Sequence, residues 1–127
     1  MKNQRLILAF ILMFGLLHKV KAQETSLEKS NLRHVLLFDW LDNVDESKKE
    51  EVLNLFKGLT EKIDGFEHIN INEIIDSSGD FDIVIIMEFV NSESLEAYEK
   101  HADHVKISKM APSLLNGFFV FDFHGKF

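Results

Sequence analysis

The chain has 127 residues and no cysteine, which allows one domain, or one domain behind a targeting segment. The lack of cysteine excludes disulfides, thiolate metal sites, iron–sulfur clusters, a cysteine nucleophile and a lipoprotein-type lipid anchor. A formal charge of −7 argues against nucleic acid as a partner, and 46% hydrophobic residues, with 12 Phe against one Trp and one Tyr, indicate a globular core.

The first 22 residues read as a secretory signal. Lys2 and Arg5 precede an apolar run, Leu6–Leu17, and Val20-Lys21-Ala22 supplies a cleavage-site pattern. The run is 12 residues long, short of the roughly 20 needed to span a bilayer. The expectation is an exported protein, periplasmic or secreted, cut after Ala22. The alternative is an uncleaved anchor. The signal holds four of the 14 basic side chains and none of the 21 acidic ones, leaving 10 against 21, a net of −11. Such a domain is repelled by nucleic acid and by anionic membrane surfaces, so no stable membrane association is expected after cleavage. Residues 23–31 read as a flexible polar leader.

The domain proper runs from 32 to 124. Leu32–Leu41 has strand composition. Asp42–Glu46 is a turn with Asp45 as helix cap. Ser47–Ile63 places Val52, Leu55, Phe56, Leu59 and Ile63 on one helical stripe, and Asp64-Gly65 ends it. Phe66–Ile75 alternates as a strand with one wetter face, and Asp76–Asp80 is a turn. Phe81–Phe89 is the most buried-looking strand. A second helix opens at Asn91 or Ser92, with Leu95, Tyr98, Ala102 and Val105 as its stripe. Ile107–Leu115, marked by Pro112, is a further helical piece or a loop. Gly117–His124 is a last, Phe-rich strand.

The order β-α-β-β-α-β is that of the ferredoxin-like split βαβ fold, an α+β class. Two helices cover one face of such a sheet. The first and third strands are apolar on both parities: Val35 and Leu37 alternate with Leu36, Phe38 and Trp40. The uncovered face is therefore expected to pack on a second copy, making a homodimer.

The same residues resemble the stress-responsive α/β-barrel domain family (Dabb). The resemblance lies in Arg33-His34-Val35-Leu36-Leu37-Phe38 and Glu61-Lys62-Ile63-Asp64-Gly65-Phe66. It continues through Phe81-Asp82-Ile83-Val84 and Ser94-Leu95-Glu96-Ala97-Tyr98, then His101-Ala102-Asp103-His104 and Val120-Phe121-Asp122-Phe123. It implies a dimeric α+β barrel. Members include a plant polyketide cyclase that works without a cofactor through pocket histidines and tyrosines. The resemblance places His34 and His104 as base and partner, with Tyr98 as a pocket tyrosine. The cyclase has a further histidine where this chain has Ile83, and its helix break carries a proline where this chain has Ala102, so the cyclase reaction itself is not carried over.

The residues themselves support a site around His34. It shares strand parity with Leu36, Phe38 and Trp40, and apolar surroundings favour the neutral imidazole, a base suited to proton abstraction beside a carbonyl. The Tyr98 hydroxyl can polarise a carbonyl. Packing alone also accounts for His34 and Tyr98. On an unbroken helix His104 points away from the stripe, so it reaches a pocket only if the helix breaks near His101–His104. The expected ligand contacts are Leu36, Phe38, Trp40, Met87 and His101. His101 and His104 have metal-like spacing, but no second ligand cluster accompanies them, and no motif demands haem, so neither metal nor cofactor is expected. The leading expectation is an exported homodimer that binds a small, mostly apolar molecule. The alternatives are a cofactor-free isomerase-, lyase- or cyclase-like enzyme with a His base, and a non-catalytic dimeric module.

Overall fold

A computed structural model describes residues 31–125. The expected signal segment, and the leader before Asn31, lie outside these residues. The chain runs β1 (Asn31–Trp40), α1 (Glu46–Leu59), β2 (Phe66–Glu73), β3 (Ile83–Phe89), α2 (Ser92–Lys100), α3 (Ala102–Met110), a 3-10 turn (Ala111–Ser113) and β4 (Leu115–Gly125). The four strands form one antiparallel sheet in the order β2-β3-β1-β4. The ferredoxin-like α+β arrangement expected from the sequence is therefore present.

One sheet face carries the core. Leu32, Leu36, Phe38, Ile83, Ile85, Met87 and Phe89 alternate along β1 and β3 and pack under Val52, Phe56, Leu59, Leu95, Tyr98 and Ile107 from the helices. The opposite face carries Val35 and Leu37 of β1 beside Phe121 and Phe119 of β4. On that face Phe119, Phe121 and Phe123 form a ladder with ring centroids 6.1 and 6.2 Å apart, and they are 55%, 43% and 43% exposed.

Asp45 occupies the N-cap of α1 as expected, but through its backbone: its carbonyl accepts from Lys48 and Lys49, and its side chain makes no cap bond. The Asn91 side chain caps α2 by accepting from the Ser94 amide at 2.9 Å. Between them Gly65 turns the chain at φ +82°, where a Cβ would lie 2.1 Å from the Ser94 hydroxyl and 2.5 Å from a Val90 methyl.

The single second helix expected from Leu95, Tyr98, Ala102 and Val105 is two helices. The chain becomes extended at His101 (φ −64°, ψ 141°) and restarts at Ala102. The break takes Ala102 and Val105 off the stripe, and Val105 is 40% exposed. Pro112 falls in the first turn of the 3-10 segment, where its missing N–H costs nothing.

Three surface carboxylates, Glu51, Glu96 and Asp103, are each held below the ordinary carboxylate range, chiefly by hydrogen bonds from Lys48, Lys100 and Lys62. Because folding depresses these values, the stability they contribute is present above the ordinary range and is lost as pH falls through the folded values. The expected result is a urea midpoint that declines between roughly pH 5 and pH 2, and less steeply at high salt, because the pairs are exposed.

Candidate functional site

A cavity of about 600 Å³ opens between β1, β4 and α3. Leu36, Phe38, Phe56, Ile107, Phe118 and Val120 supply its apolar wall, and His34 and His104 both line it. The break at His101 is what brings His104 there.

His34 is 5% exposed and stands opposite Asp122 in the β1–β4 register, with its Nδ1 2.6 Å from the Asp122 carboxylate. A carboxylate accepts only, so Nδ1 carries the proton and Nε2 is the basic nitrogen. Asp122 also stabilises the imidazolium that forms if His34 takes a proton. His104 is fixed in the same sense. Its Nδ1 lies 2.9 Å from the Glu99 carbonyl, to which it donates, leaving Nε2 as an acceptor. Two imidazoles with determined tautomers thus border one mostly apolar space.

Tyr98 lies behind them. Its ring is 5.5 Å from His34 and 4.4 Å from His104, and it is fully buried against Phe66 and Phe89. Burial, with a smaller contribution from Glu99, pushes its hydroxyl well above the ordinary phenol range, so it stays protonated. That hydroxyl has no hydrogen-bond partner among the described residues. Tyr98 therefore supports both histidines rather than lining the cavity. An unpartnered buried hydroxyl costs stability, so Tyr98→Phe is expected to stabilise the fold by roughly 1 kcal/mol, a rise of several degrees in Tm by calorimetry.

Three expected contacts lie elsewhere. Met87 is paired opposite His34 but is completely buried in the core. Trp40 follows a register shift between Asp39 and Trp40 and borders a separate, more polar cavity, where the Lys49 ammonium lies 6.0 Å from its ring centroid. His101 turns its ring to the backbone, accepting from the Asp103 amide at 3.1 Å. Leu36 and Phe38 do line the cavity. Asp122 is absent from the sequence-derived site, although it is the lone acid in Phe118-Phe119-Val120-Phe121-Asp122-Phe123 and shares parity with Val120. Among the described residues, no group of three or more His, Asp or Glu side chains converges on a point that could hold a metal ion.

A split βαβ sheet backed by helices, with two oriented histidines lining an apolar cavity, is a ferredoxin-like α+β fold. The chain belongs to the stress responsive A/B barrel domain (Dabb) family, whose sequence pattern matches residues 32–124. No curated protein matches it. A dimeric ferredoxin-like protein of unknown function from Bacteroides fragilis is 23% identical, with a TM-score of 0.60 over 76% of this chain and 97% of that one. A Dabb family protein from Mesorhizobium loti is 21% identical, with a TM-score of 0.64 over 76% and 97%. A hydroxynitrile lyase from Passiflora edulis is 8% identical, with a TM-score of 0.69 over 77% and 95%. At these identities the likeness establishes the fold.

Proposed function

We propose that the protein is an exported homodimer that holds a small, mostly apolar molecule with one polar end in the cavity between β1, β4 and α3. The observation that carries this reading is the shared cavity itself, in which apolar walls surround two histidines whose basic nitrogens are fixed by Asp122 and the Glu99 carbonyl. Export is supported by the pattern of residues 1–22. Association of two copies is supported by the exposed Phe119–Phe123 ladder and by the dimeric state of the Bacteroides fragilis protein.

Native mass spectrometry of the protein purified gently from its host tests all three parts. The expected result is a dimer of chains beginning at Gln23 that carries a small-molecule adduct. A clean monomer would remove the dimer, an intact Met1 terminus would remove cleavage, and a dimer that takes up no small apolar compound on screening would remove the ligand.

A second reading is favoured by the His34–Asp122 pair. A buried imidazole held by a carboxylate is the usual arrangement of a general base, and it points to cofactor-free proton transfer next to a carbonyl or similar group. With the adduct or a relative of it as substrate, His34→Ala is expected to lower turnover by about 10²–10⁴-fold while leaving binding within about tenfold. A variant that loses only thermal stability would make His34 structural.

A further inference from the structure

We propose that His101 is a positioning residue for His104, and that it works as a pH-dependent helix cap. Nothing in Tyr98–His104 obliges a helix to stop, since the segment has neither proline nor glycine. Yet it stops at His101, and that residue makes both ends. Its amide donates to the Tyr98 carbonyl at 3.1 Å, closing α2. Its carbonyl accepts from the Val105 amide at 3.0 Å, and its Nδ1 accepts from the Asp103 amide at 3.1 Å, opening α3.

Helix N-caps are ordinarily Ser, Thr, Asn or Asp, whose side chains accept at any pH near neutrality. An imidazole accepts only while the nitrogen in question is unprotonated, and imidazoles change charge within about pH 5–8. Protonation of His101 removes the acceptor from the Asp103 amide and sets a cation at the positive end of α3.

The charged groups around the break do not replace that acceptor. The Asp103 carboxylate on α3 is engaged at 2.5 Å by Lys62 from the segment after α1. Lys106 on α3 also acts on that carboxylate. From α2, Glu99 and Lys100 immediately precede His101 in the chain.

The consequence falls on His104. Its contacts with the Tyr98 ring and the Glu99 carbonyl both cross the break, so they depend on α3 starting where it does. The proposal deepens the pocket reading in that it gives His104 a switchable place beside the bound molecule, but its geometry stands apart from what the cavity holds.

Amide and imidazole NMR on the ¹⁵N-labelled protein, from pH 8 to pH 5, tests it. In the wild type the Asp103 amide is expected to lose about fivefold or more of its exchange protection. The His104 Nδ1–H signal should weaken with the same midpoint. His101→Asn, which caps without titrating, should hold both signals flat across the range, and His101→Ala should lack the Asp103 protection throughout. A wild-type Asp103 amide indifferent to pH, an Asn variant that behaves like Ala, or an Ala variant that keeps the His104 signal would each overturn the proposal. A cavity that binds nothing would sink the pocket function and leave these readouts standing.

Discussion

Phe121→Asp is expected to turn a dimer into a monomer while the far-ultraviolet circular dichroism of the fold stays unchanged. Phe121 is the middle rung of the ladder on the helix-free face, with Phe119 and Phe123 on either side and Val35 behind it. Half-exposed in the single chain, its ring has roughly 80 Å² to lose to a partner, worth about 2 kcal/mol. A two-fold contact presents the change twice, and each new carboxylate would also have to be desolvated. The sum is on the order of 5 kcal/mol, or between three and four decades in dimer Kd. Sedimentation equilibrium across the micromolar range measures this directly. A variant as dimeric as the wild type would rule this face out as the surface of the proposed dimer.

Gly65→Ala is expected to be the most destabilising single-methyl change in the domain. Two costs coincide there. The backbone sits at φ +82°, which an alanine adopts only with strain, and the new methyl would meet the Ser94 side chain and Val90. Ser94 can swing its hydroxyl, but its Cβ, at 3.0 Å, moves only with α2, which begins two residues earlier. Strain and overpacking together come to about 3 kcal/mol, a fall of roughly 15 °C in Tm for a domain of this size. Chemical denaturation should show the midpoint change without a change in slope. Gly58 is the control: a Cβ there meets nothing within 4 Å, and it lies inside α1, so Gly58→Ala should raise stability slightly.

The sheet and the first helix were legible because their signals are local. The continuous apolar run of β3 and the three-four spacing of Val52, Phe56 and Leu59 in α1 both survive folding, although α1 stops at Leu59, short of the expected Ile63 and Asp64-Gly65. The boundary between α2 and α3 was not, because its cause is a side chain acting on its own backbone. The apolar spacing from Leu95 to Val105 fits one helix well, and no rule of composition marks His101 as a cap. Asp122 escaped for a different reason. Its meaning depends on β4 lying beside β1 in a register that sets it opposite His34, which is a long-range fact. Trp40 shares strand parity with His34 in the sequence, and Met87 comes beside His34 only through the pairing of β3 with β1. Parity could not say that helices close over Met87 or that a register shift at Asp39 sends Trp40 to another cavity.

β4 is an edge strand with an apolar cavity on one side and an exposed apolar ladder on the other. Phe118 and Val120 form a wall of the cavity, and Asp122 on the same side holds His34, while Phe119, Phe121 and Phe123 on alternate positions are exposed on the other face, the surface proposed for a second copy. A backbone cannot be braced on one side and left indifferent on the other. If a molecule fills the cavity and a second copy covers the ladder as proposed, the two events are thermodynamically linked through β4, each favouring the other by the same factor. In a titration this linkage would show itself as an apparent ligand affinity that improves with protein concentration and levels off once every chain has its partner.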